Sequence, residues 1–262
     1  MNSPAPLMAG KRGIVFGVAN DKSIAWGIAK AVREHGAELA FTYQGEALEK
    51  RVRPLADSVG CNLVLPCDVT DEASVKTSFE AARAAQGPVD IVIANAGAAE
   101  SVPFSKMTPE TLNAMLSVNL IGVFNVWQAA LADMKSAGWG RMIAVASTAG
   151  QKGFPYVSAY CAAKHGVVGL TRSLAVELAK TGTTVNALCP GFIETPMLDR
   201  SIENITKTTG MTAEVASKAL RSGNPQDRFI QTDEIAGAAL WLCSDAARSV
   251  NGHTLSISGG ET

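Results

Sequence analysis

Tyr160 and Lys164 stand four residues apart in a run with helical patterning, so a phenol and an ammonium share one face, a turn from each other. A free phenol has a pKa of ~10, and a neighbouring ammonium stabilises the phenolate, which brings the group toward the range useful for proton transfer. Ser147 follows directly on the apolar run Met142–Ala146; its hydroxyl can hold an oxygen to which Tyr160 gives, or from which it takes, a proton. Asn119 lies inside the helical run Glu110–Met134, where an amide is a poor helix former and must find partners if buried. A water held there can relay protons to Lys164. Singly, Ser147 also fits a strand-end turn and Asn119 a satisfied core amide; the four together suit proton transfer at a substrate oxygen.

A second group of residues falls where strands end. Gly17, Ser23, Ile24 and Gly27 follow the first apolar run and lead into a helix. Glycine lets backbone approach a pyrophosphate closely, and a helix N-terminus offers unpaired N–H groups to its charge. The Gly-x-Gly-x-x-Gly spacing is absent, and a strand–glycine–helix junction alone suits a tight turn equally well. After the second run stands Gln44, where an acidic residue commonly binds the adenosine ribose, and no arginine adjoins it for a 2′-phosphate. That combination favours NAD(H) over NADP(H), with a plain turn at Gln44 as the alternative. Asp68 and Val69 close the third run, and Asn95, Ala96 and Gly97 the fourth. Each is a turn former by composition, yet all sit on the one edge where a dinucleotide would lie. Pro190, Gly191, Ile193 and Thr195 follow the sixth run, where backbone groups can meet a nicotinamide amide and Thr195 can reach it or the phosphates.

The elements that must position these residues alternate along the chain. Strands are expected at Gly13–Phe16, Leu39–Tyr43, Asn62–Pro66, Ile91–Ala94, Met142–Ala146, Val185–Leu188 and Thr254–Ile257, with helices at Ser23–His35, Glu46–Ser58, Ala73–Ala85, Glu110–Met134, Val157–Lys180 and Asp233–Cys243. Strands apolar throughout are buried on both faces, and parallel neighbours need helical crossovers. The expectation is one α/β domain over residues 1–262, a doubly wound Rossmann-like sheet of seven parallel strands with helices on both faces. Ile193–Gln231 breaks the rhythm with short helix-like pieces and no strand; its place past a strand's carboxyl end reads as a substrate lid, or as a decoration without ligand contact.

Composition narrows the function further. The chain of 262 residues is 47% hydrophobic with a formal net charge of -1, which gives no electrostatic case for nucleic acid or an anionic membrane. Five scattered cysteines without a Cys-x-x-Cys pair, and three histidines without ligand spacing, argue against a disulfide framework or a metal site. Met1–Gly10 does not read as a secretory signal, and no apolar run is read as reaching the ~18 residues of a membrane span. The expected location is cytoplasmic.

Asn95–Gly97, Asn119, Ser147, Tyr160 with Lys164, and Pro190–Gly191 match in order and spacing the motifs of the short-chain dehydrogenase/reductase family, which the chain resembles from about residue 12 to Gly260. The resemblance implies NAD(P)(H), a homotetramer and a small-molecule substrate. It also implies roles: Tyr160 as general acid/base, Lys164 on the nicotinamide ribose, Ser147 orienting a carbonyl, and Asn119 holding a relay water. Up to about Val69 the chain is similar to enoyl-acyl-carrier-protein reductases, through Gly17, Ser23–Ala25, Gly27 and Phe41–Gln44. The remainder is similar to 3-ketoacyl-thioester reductases, 3-hydroxyacyl-CoA dehydrogenases and polyketide ketoreductases, through Ser147–Gly150, Tyr160–Gly166 and Cys189–Pro196. Enoyl reductases place tyrosine seven positions before the lysine, where Val157 stands. The resemblance therefore implies ketone or alcohol chemistry on an acyl thioester, ahead of an enoyl reductase or a catalytically silent nucleotide-binding scaffold. It also implies a mosaic, natural or engineered, joined between Asp71 and Pro88.

Overall fold

A computed structural model describes residues 6–262; residues 1–5, on which part of the reading of Met1–Gly10 falls, lie outside the described residues. Seven strands form one parallel sheet: β1 (Arg12–Phe16), β2 (Glu38–Tyr43), β3 (Val64–Pro66), β4 (Ile91–Ala94), β5 (Gly140–Val145), β6 (Thr183–Pro190) and β7 (Thr254–Ile257). Their order is β3-β2-β1-β4-β5-β6-β7, so the winding reverses between β1 and β4, the place where doubly wound sheets bind ligands. Successive strand residues point to opposite faces, and each face has its own core. Val15, Phe41, Ile93, Val145 and Leu188 pack with α1 (Ile24–Glu34), α2 (Glu46–Ser58) and α9 (Thr232–Cys243). Ile14, Phe16, Val92, Ala144 and Ala187 pack with α3 (Glu72–Gln86), α5 (Gly122–Ala137) and α6 (Ser158–Leu178).

Burial on both faces explains why continuous apolar runs marked the strands, and why the reading slipped where a polar residue is buried. β5 starts at Gly140, not Met142, because Arg141 enters the sheet. Its guanidinium stacks on Trp139 at 4.1 Å and donates to the Gly140 carbonyl at 2.8 Å, so the charge is held at the strand's amino end. The helix expected over Glu110–Met134 runs from Pro109 to Ala137 but in three pieces: α4 (Pro109–Leu116), a π-helical turn (Ser117–Ile121) and α5. π turns inside helices are frequent at functional sites, and this one carries Asn119. The Pro109–Ala137 stretch is also long and apolar enough, by length and composition, to cross a membrane, which corrects the expectation that no such run exists; much of it packs on the sheet and on α6.

Beyond β6 the chain leaves the sheet as two full helices, α7 (Pro196–Thr209) and α8 (Ala213–Arg221), longer than the short pieces expected. An isolated bridge between Ile193 and Ile230 ties the two ends of this excursion together. Leu198 and Ala216 are the residues its helices bury, and so shallow an anchorage marks a unit that opens at low cost. The first strand–helix unit is well packed: Trp26 meets Phe41 with ring centroids 6.1 Å apart, and Gly27 lets α1 approach Thr232 of α9, whose carbonyl would stand 3.3 Å from a Cβ. A poorly packed unit would have spoken against a working mosaic, and none is found.

The amino end of α9 carries a charged cap. Glu234 receives both guanidinium nitrogens of Arg228, at 2.6 and 2.8 Å, and the Gln231 N–H at 2.8 Å. The Arg228 hydrogen bonds, above all, lower its pKa from 4.5 to about 2. Because the folded value lies below the unfolded one, its stabilisation is complete above pH 4.5 and is lost as pH falls through about 2. Both side chains are partly exposed, so solvent screening limits the contribution to about 1 kcal/mol. Glu234→Gln should therefore lower the urea midpoint at pH 7, and the difference from the unsubstituted chain should shrink steadily in acid.

Candidate active site

Ser147, Tyr160 and Lys164 come from neighbouring elements. Ser147 follows β5 and opens a 3-10 turn, Thr148–Gly150, that lies against α6. A Cβ on Gly150 would stand 2.7 Å from the Lys164 carbonyl oxygen, so glycine is what permits the approach. The Ala149 N–H donates to Ser147 Oγ at 3.0 Å, which leaves the serine's own proton free to be directed at a substrate oxygen. α6 presents Tyr160 and Lys164 one turn apart, as their spacing requires.

Lys164 is buried, and its Nζ donates to the Val145 carbonyl at 2.8 Å and sits 5.5 Å from the centre of the Tyr160 ring. An ammonium has three protons to place, and the Val145 carbonyl is the one acceptor found for it among the described residues. Burial pulls its pKa down to about 8. A buried cation short of partners marks a functional site, since structure alone gains nothing from it. Tyr160 corrects an expectation. Burial pushes its pKa up to about 12, with the Ser147 hydroxyl working in the opposite direction. Lys164 does not offset this, because its ammonium is turned to Val145 and approaches the face of the ring.

Asn119 is fully buried in the π turn. Its Nδ2 donates to the carbonyls of Ala98 (2.8 Å) and Met115 (3.0 Å), and its Oδ1 accepts from the Ala98 N–H (3.3 Å). Both amide protons are thus spent on backbone, and the side chain anchors the segment after β4. Gly97 fits there because a Cβ would lie 2.7 Å from Asn119 Oδ1. On the other side Leu120 meets α6 at Gly166, where a Cβ would stand 2.7 Å away.

The strand ends form a continuous edge. Gly17 has φ +87, and a Cβ there would lie 2.5 Å from the Ala96 nitrogen; Asn95 Nδ2 donates to the Gly17 carbonyl at 3.2 Å. The β1 and β4 ends are thereby stitched into one ledge. Ser23 donates to the Asn20 carbonyl at 2.7 Å and gives no side-chain cap to α1, so the first N–H groups of α1, beside Ile24, stay available to an anion. Gly27 lies against α9 rather than on this edge. Gln44 and Asp68 meet at the ends of β2 and β3, with Gln44 Nε2 donating to Asp68 Oδ2 at 2.8 Å. Asp68 also accepts from the Thr70 hydroxyl and N–H, and these bonds, with the Thr70 hydroxyl foremost, hold its carboxyl below the usual range.

At the end of β6, the Gly191 N–H donates to the Ile257 carbonyl at 3.0 Å. The bridge to Ile230 uses the Phe192 carbonyl and the Glu194 N–H, so the N–H of Ile193 itself faces away from it, free to meet a carboxamide. Thr195 donates to the Ile193 carbonyl at 3.3 Å, which ties its hydroxyl to the same loop. Gly17, the uncapped α1 terminus, the Gln44–Asp68 pair, Asn95–Gly97 and the Pro190–Thr195 loop all lie at the carboxyl ends of strands, as does Ser147, with Tyr160 and Lys164 on α6 packed beside it. One residue escaped the sequence reading. Asn125, buried in α5, donates to the Val69 carbonyl at 2.9 Å, while Gly122 accepts the Val69 side chain against its backbone. The signal was present as a second amide within the same apolar helix.

Known proteins agree with this arrangement. Residues 17–262 match the family model described as Enoyl-(Acyl carrier protein) reductase. The D-beta-hydroxybutyrate dehydrogenase of Rhizobium meliloti is 32% identical, over 96% of this chain and 98% of that one. The enoyl-[acyl-carrier-protein] reductase [NADH] 2 of the same organism is 34% identical, over 97% and 92%. The crystal structure of an actinorhodin polyketide ketoreductase variant with NADPH superposes with a TM-score of 0.90 at 31% identity, covering 96% of this chain and 97% of its own. The chain belongs to the short-chain dehydrogenase/reductase family. It is an oxidoreductase that transfers hydride between NAD(P)(H) and a ketone or secondary alcohol, and its relatives include both kinds of enzyme that its first quarter and its remainder resemble.

The ledge at Gly17 supplies a direct test. Gly17→Ala forces a side chain into a left-handed turn and against Ala96. It should cost about 2 kcal/mol of stability and abolish ADP-ribose binding by calorimetry, while Ala at the exposed Gly237 should do neither.

Proposed function

We propose that the chain is a 3-ketoacyl-thioester reductase, or 3-hydroxyacyl dehydrogenase in the reverse direction, preferring NAD(H). The observation that carries this reading is the convergence of Ser147, Tyr160 and the buried Lys164 at the sheet's carboxyl edge. The bound dinucleotide supplies or takes up the hydride. Ser147 donates to the substrate oxygen and fixes its place. Tyr160, protonated up to about pH 12, gives its proton to that oxygen as charge develops there. The two unassigned protons of Lys164 suit ribose hydroxyls, which would hold the dinucleotide beside Tyr160. Asn119 acts as a positioning residue, and a relay water meets its backbone or remaining Oδ1 lone pair rather than its amide protons. Gly17, Ile24, Asn95–Gly97, Val69 and Ile193 offer backbone to the dinucleotide.

The excursion over 193–231 serves as the substrate lid. Met197, Met211 and Val215 of this unit, and Phe104 and Tyr156 from the segments after β4 and β5, are exposed, which suits an acyl chain. Tyr156 has φ +66, and its carbonyl accepts from the Val102 N–H at 2.7 Å, so the two segments are held together. Ile121, Phe124 and Val176, exposed on the long helix and on α6, are the surface through which the chain assembles as a homotetramer. A cytoplasmic location accords with five free, buried cysteines.

Enoyl-thioester reduction is the second reading, favoured by the matched family model and by one relative's name. Against it, the position seven before Lys164 is Val157, which has no hydroxyl. The deciding assay follows NADH oxidation with acetoacetyl-CoA and crotonyl-CoA in parallel. Acetoacetyl-CoA should be turned over, and Tyr160→Phe should slow that reaction by about a thousandfold with NADH affinity retained. Turnover of crotonyl-CoA alone would overturn the mechanism.

Cofactor choice rests on Gln44 and Asp68, since an ionised carboxylate beside the ribose site repels a 2′-phosphate. Gln44→Arg should shift the NADPH/NADH ratio of kcat/KM upward by about tenfold. Gly45 is the wrong place for the same change, because its φ of +77 strains any side chain. An unchanged ratio in Gln44→Arg would place the adenosine ribose elsewhere.

A further inference from the structure

The segment that follows β7 returns a carboxylate to the interior. Glu261 has a side chain only 4% exposed, paired with Lys152 Nζ at 2.9 Å. Lys152 lies between Ser147 and Tyr160, just past the 3-10 turn. The carboxylate is enclosed by two glycines that belong to neither segment. A Cβ on Gly191, in the loop after β6, would stand 3.2 Å from Oε2, and a Cβ on Gly223, on the returning limb of the excursion, 3.0 Å from Oε1. A side chain at either position would compete with Glu261 for its space.

Other contacts repeat the same three-way connection. Gln151 donates to the Thr254 carbonyl at 3.0 Å and accepts from Ser256 Oγ (2.8 Å) and Thr262 Oγ1 (3.0 Å). Gly259, at φ +66, presses its backbone on Asn224, which in turn donates to the Arg228 carbonyl at 2.8 Å. Phe154 meets Phe192 edge to face, with centroids 6.2 Å apart, and Lys152 lies 5.0 Å over the Phe154 ring. The 148–154 segment, the 190–193 loop and the base of the excursion therefore converge on residues 254–262, with Glu261 as the charged member at the centre.

We propose that Glu261 is a positioning residue: paired with Lys152 and enclosed by Gly191 and Gly223, it latches the base of the 193–231 excursion to the segment that links Ser147 to Tyr160. This deepens the reading of that excursion as the substrate lid and rests on it. A hydrogen-bonded carboxylate–ammonium pair is stronger than a neutral contact, and the Glu261 carboxylate is withdrawn from water while Lys152 stays part-exposed. The latch sets how closely the lid stands over the catalytic hydroxyls without itself touching substrate or cofactor. Small displacements of that kind are costly to catalysis, because the reacting atoms must be held in register.

Hydrogen–deuterium exchange on the full-length protein tests the latch without relying on any substrate. In Glu261→Gln, isosteric but uncharged, amides in 193–225 and 148–156 should exchange about tenfold faster. Amides of β1, β4 and α1 should keep their rates, and NADH affinity should stay within about twofold, as expected for a local opening. Lys152→Met should reproduce the pattern from the other partner. In the acetoacetyl-CoA assay both variants should raise KM more than they lower kcat. Unchanged exchange in both segments would overturn the proposal, as would acceleration spread over the whole sheet, which would make Glu261 a general stability residue. An enzyme that ignores acetoacetyl-CoA would sink the substrate reading, while the exchange data would still decide the latch.

Discussion

Lys164 carries an ammonium into the interior with one backbone carbonyl for a partner, and much of the molecule near the sheet's carboxyl edge is arranged around that charge. Taking an ammonium out of water costs several kcal/mol even after relaxation. The depressed pKa of about 8 shows that the cost is not fully offset by Val145. Such a group persists only where surrounding structure holds it. Here α6 is pinned from two sides, by the 3-10 turn at Gly150 and by the π turn at Leu120, each through a missing Cβ. The π turn is pinned in its turn by Asn119, whose amide is consumed by the backbone on either side. The place of this buried ammonium is thus fixed by glycine packing and by one amide with both its protons committed to backbone.

The same logic links the ends of β1, β3 and β4. Gly17 brings the β1 turn onto Ala96, and the segment carrying Ala96 runs on to Ala98, which Asn119 holds. Asn125, further along the same long helix, holds Val69. One interrupted helix therefore fixes the segments that follow both β3 and β4, and its interruption lies next to the catalytic set. The apolar composition that gives this helix the look of a membrane span is what two buried amides need around them: a dry environment in which their hydrogen bonds define position.

How much of this was legible in the chain follows from the range of each interaction. β4 was readable to the residue because its continuous apolar run ends in a turn former, and β7 because its β-branched, alternating Thr-Leu-Ser-Ile run ends at Ser258 and Gly259. β5 was read two residues short because nothing local announces that Arg141 will stack on Trp139. The relation of Tyr160 to Lys164 is a property of helical spacing and is readable; the burial that drives their pKa values away from expectation depends on segments distant in sequence and is not. Asn119 and Asn125 show the same pattern, an amide in an apolar helix, but only Asn119 falls within the motifs of the family the chain resembles. Lys152 and Glu261 are distant in sequence and meet only once the sheet is closed by β7, so no spacing rule reaches them.

The division between ketone and enoyl chemistry turns on where hydroxyls stand along α6, more than on the fold that both kinds of relative share. Hydride arrives wherever the nicotinamide is held, and a proton donor is useful only if it faces the atom that becomes negative. In ketone reduction that atom is the oxygen on the carbon receiving hydride, so donor and hydride must converge within about a bond length of each other. Ser147 at the end of β5 and Tyr160 on α6 stand on elements packed against each other beside the buried Lys164, and so offer two hydroxyls to a single oxygen. In enoyl reduction hydride goes to a carbon remote from the thioester oxygen, and the donor must stand farther along the helix. At Val157, the residue that would serve, the chain has no proton to give. Tyr156 beside it is exposed and directs its backbone to Val102. The chemistry that this arrangement of hydroxyls supports is therefore that of the carbonyl.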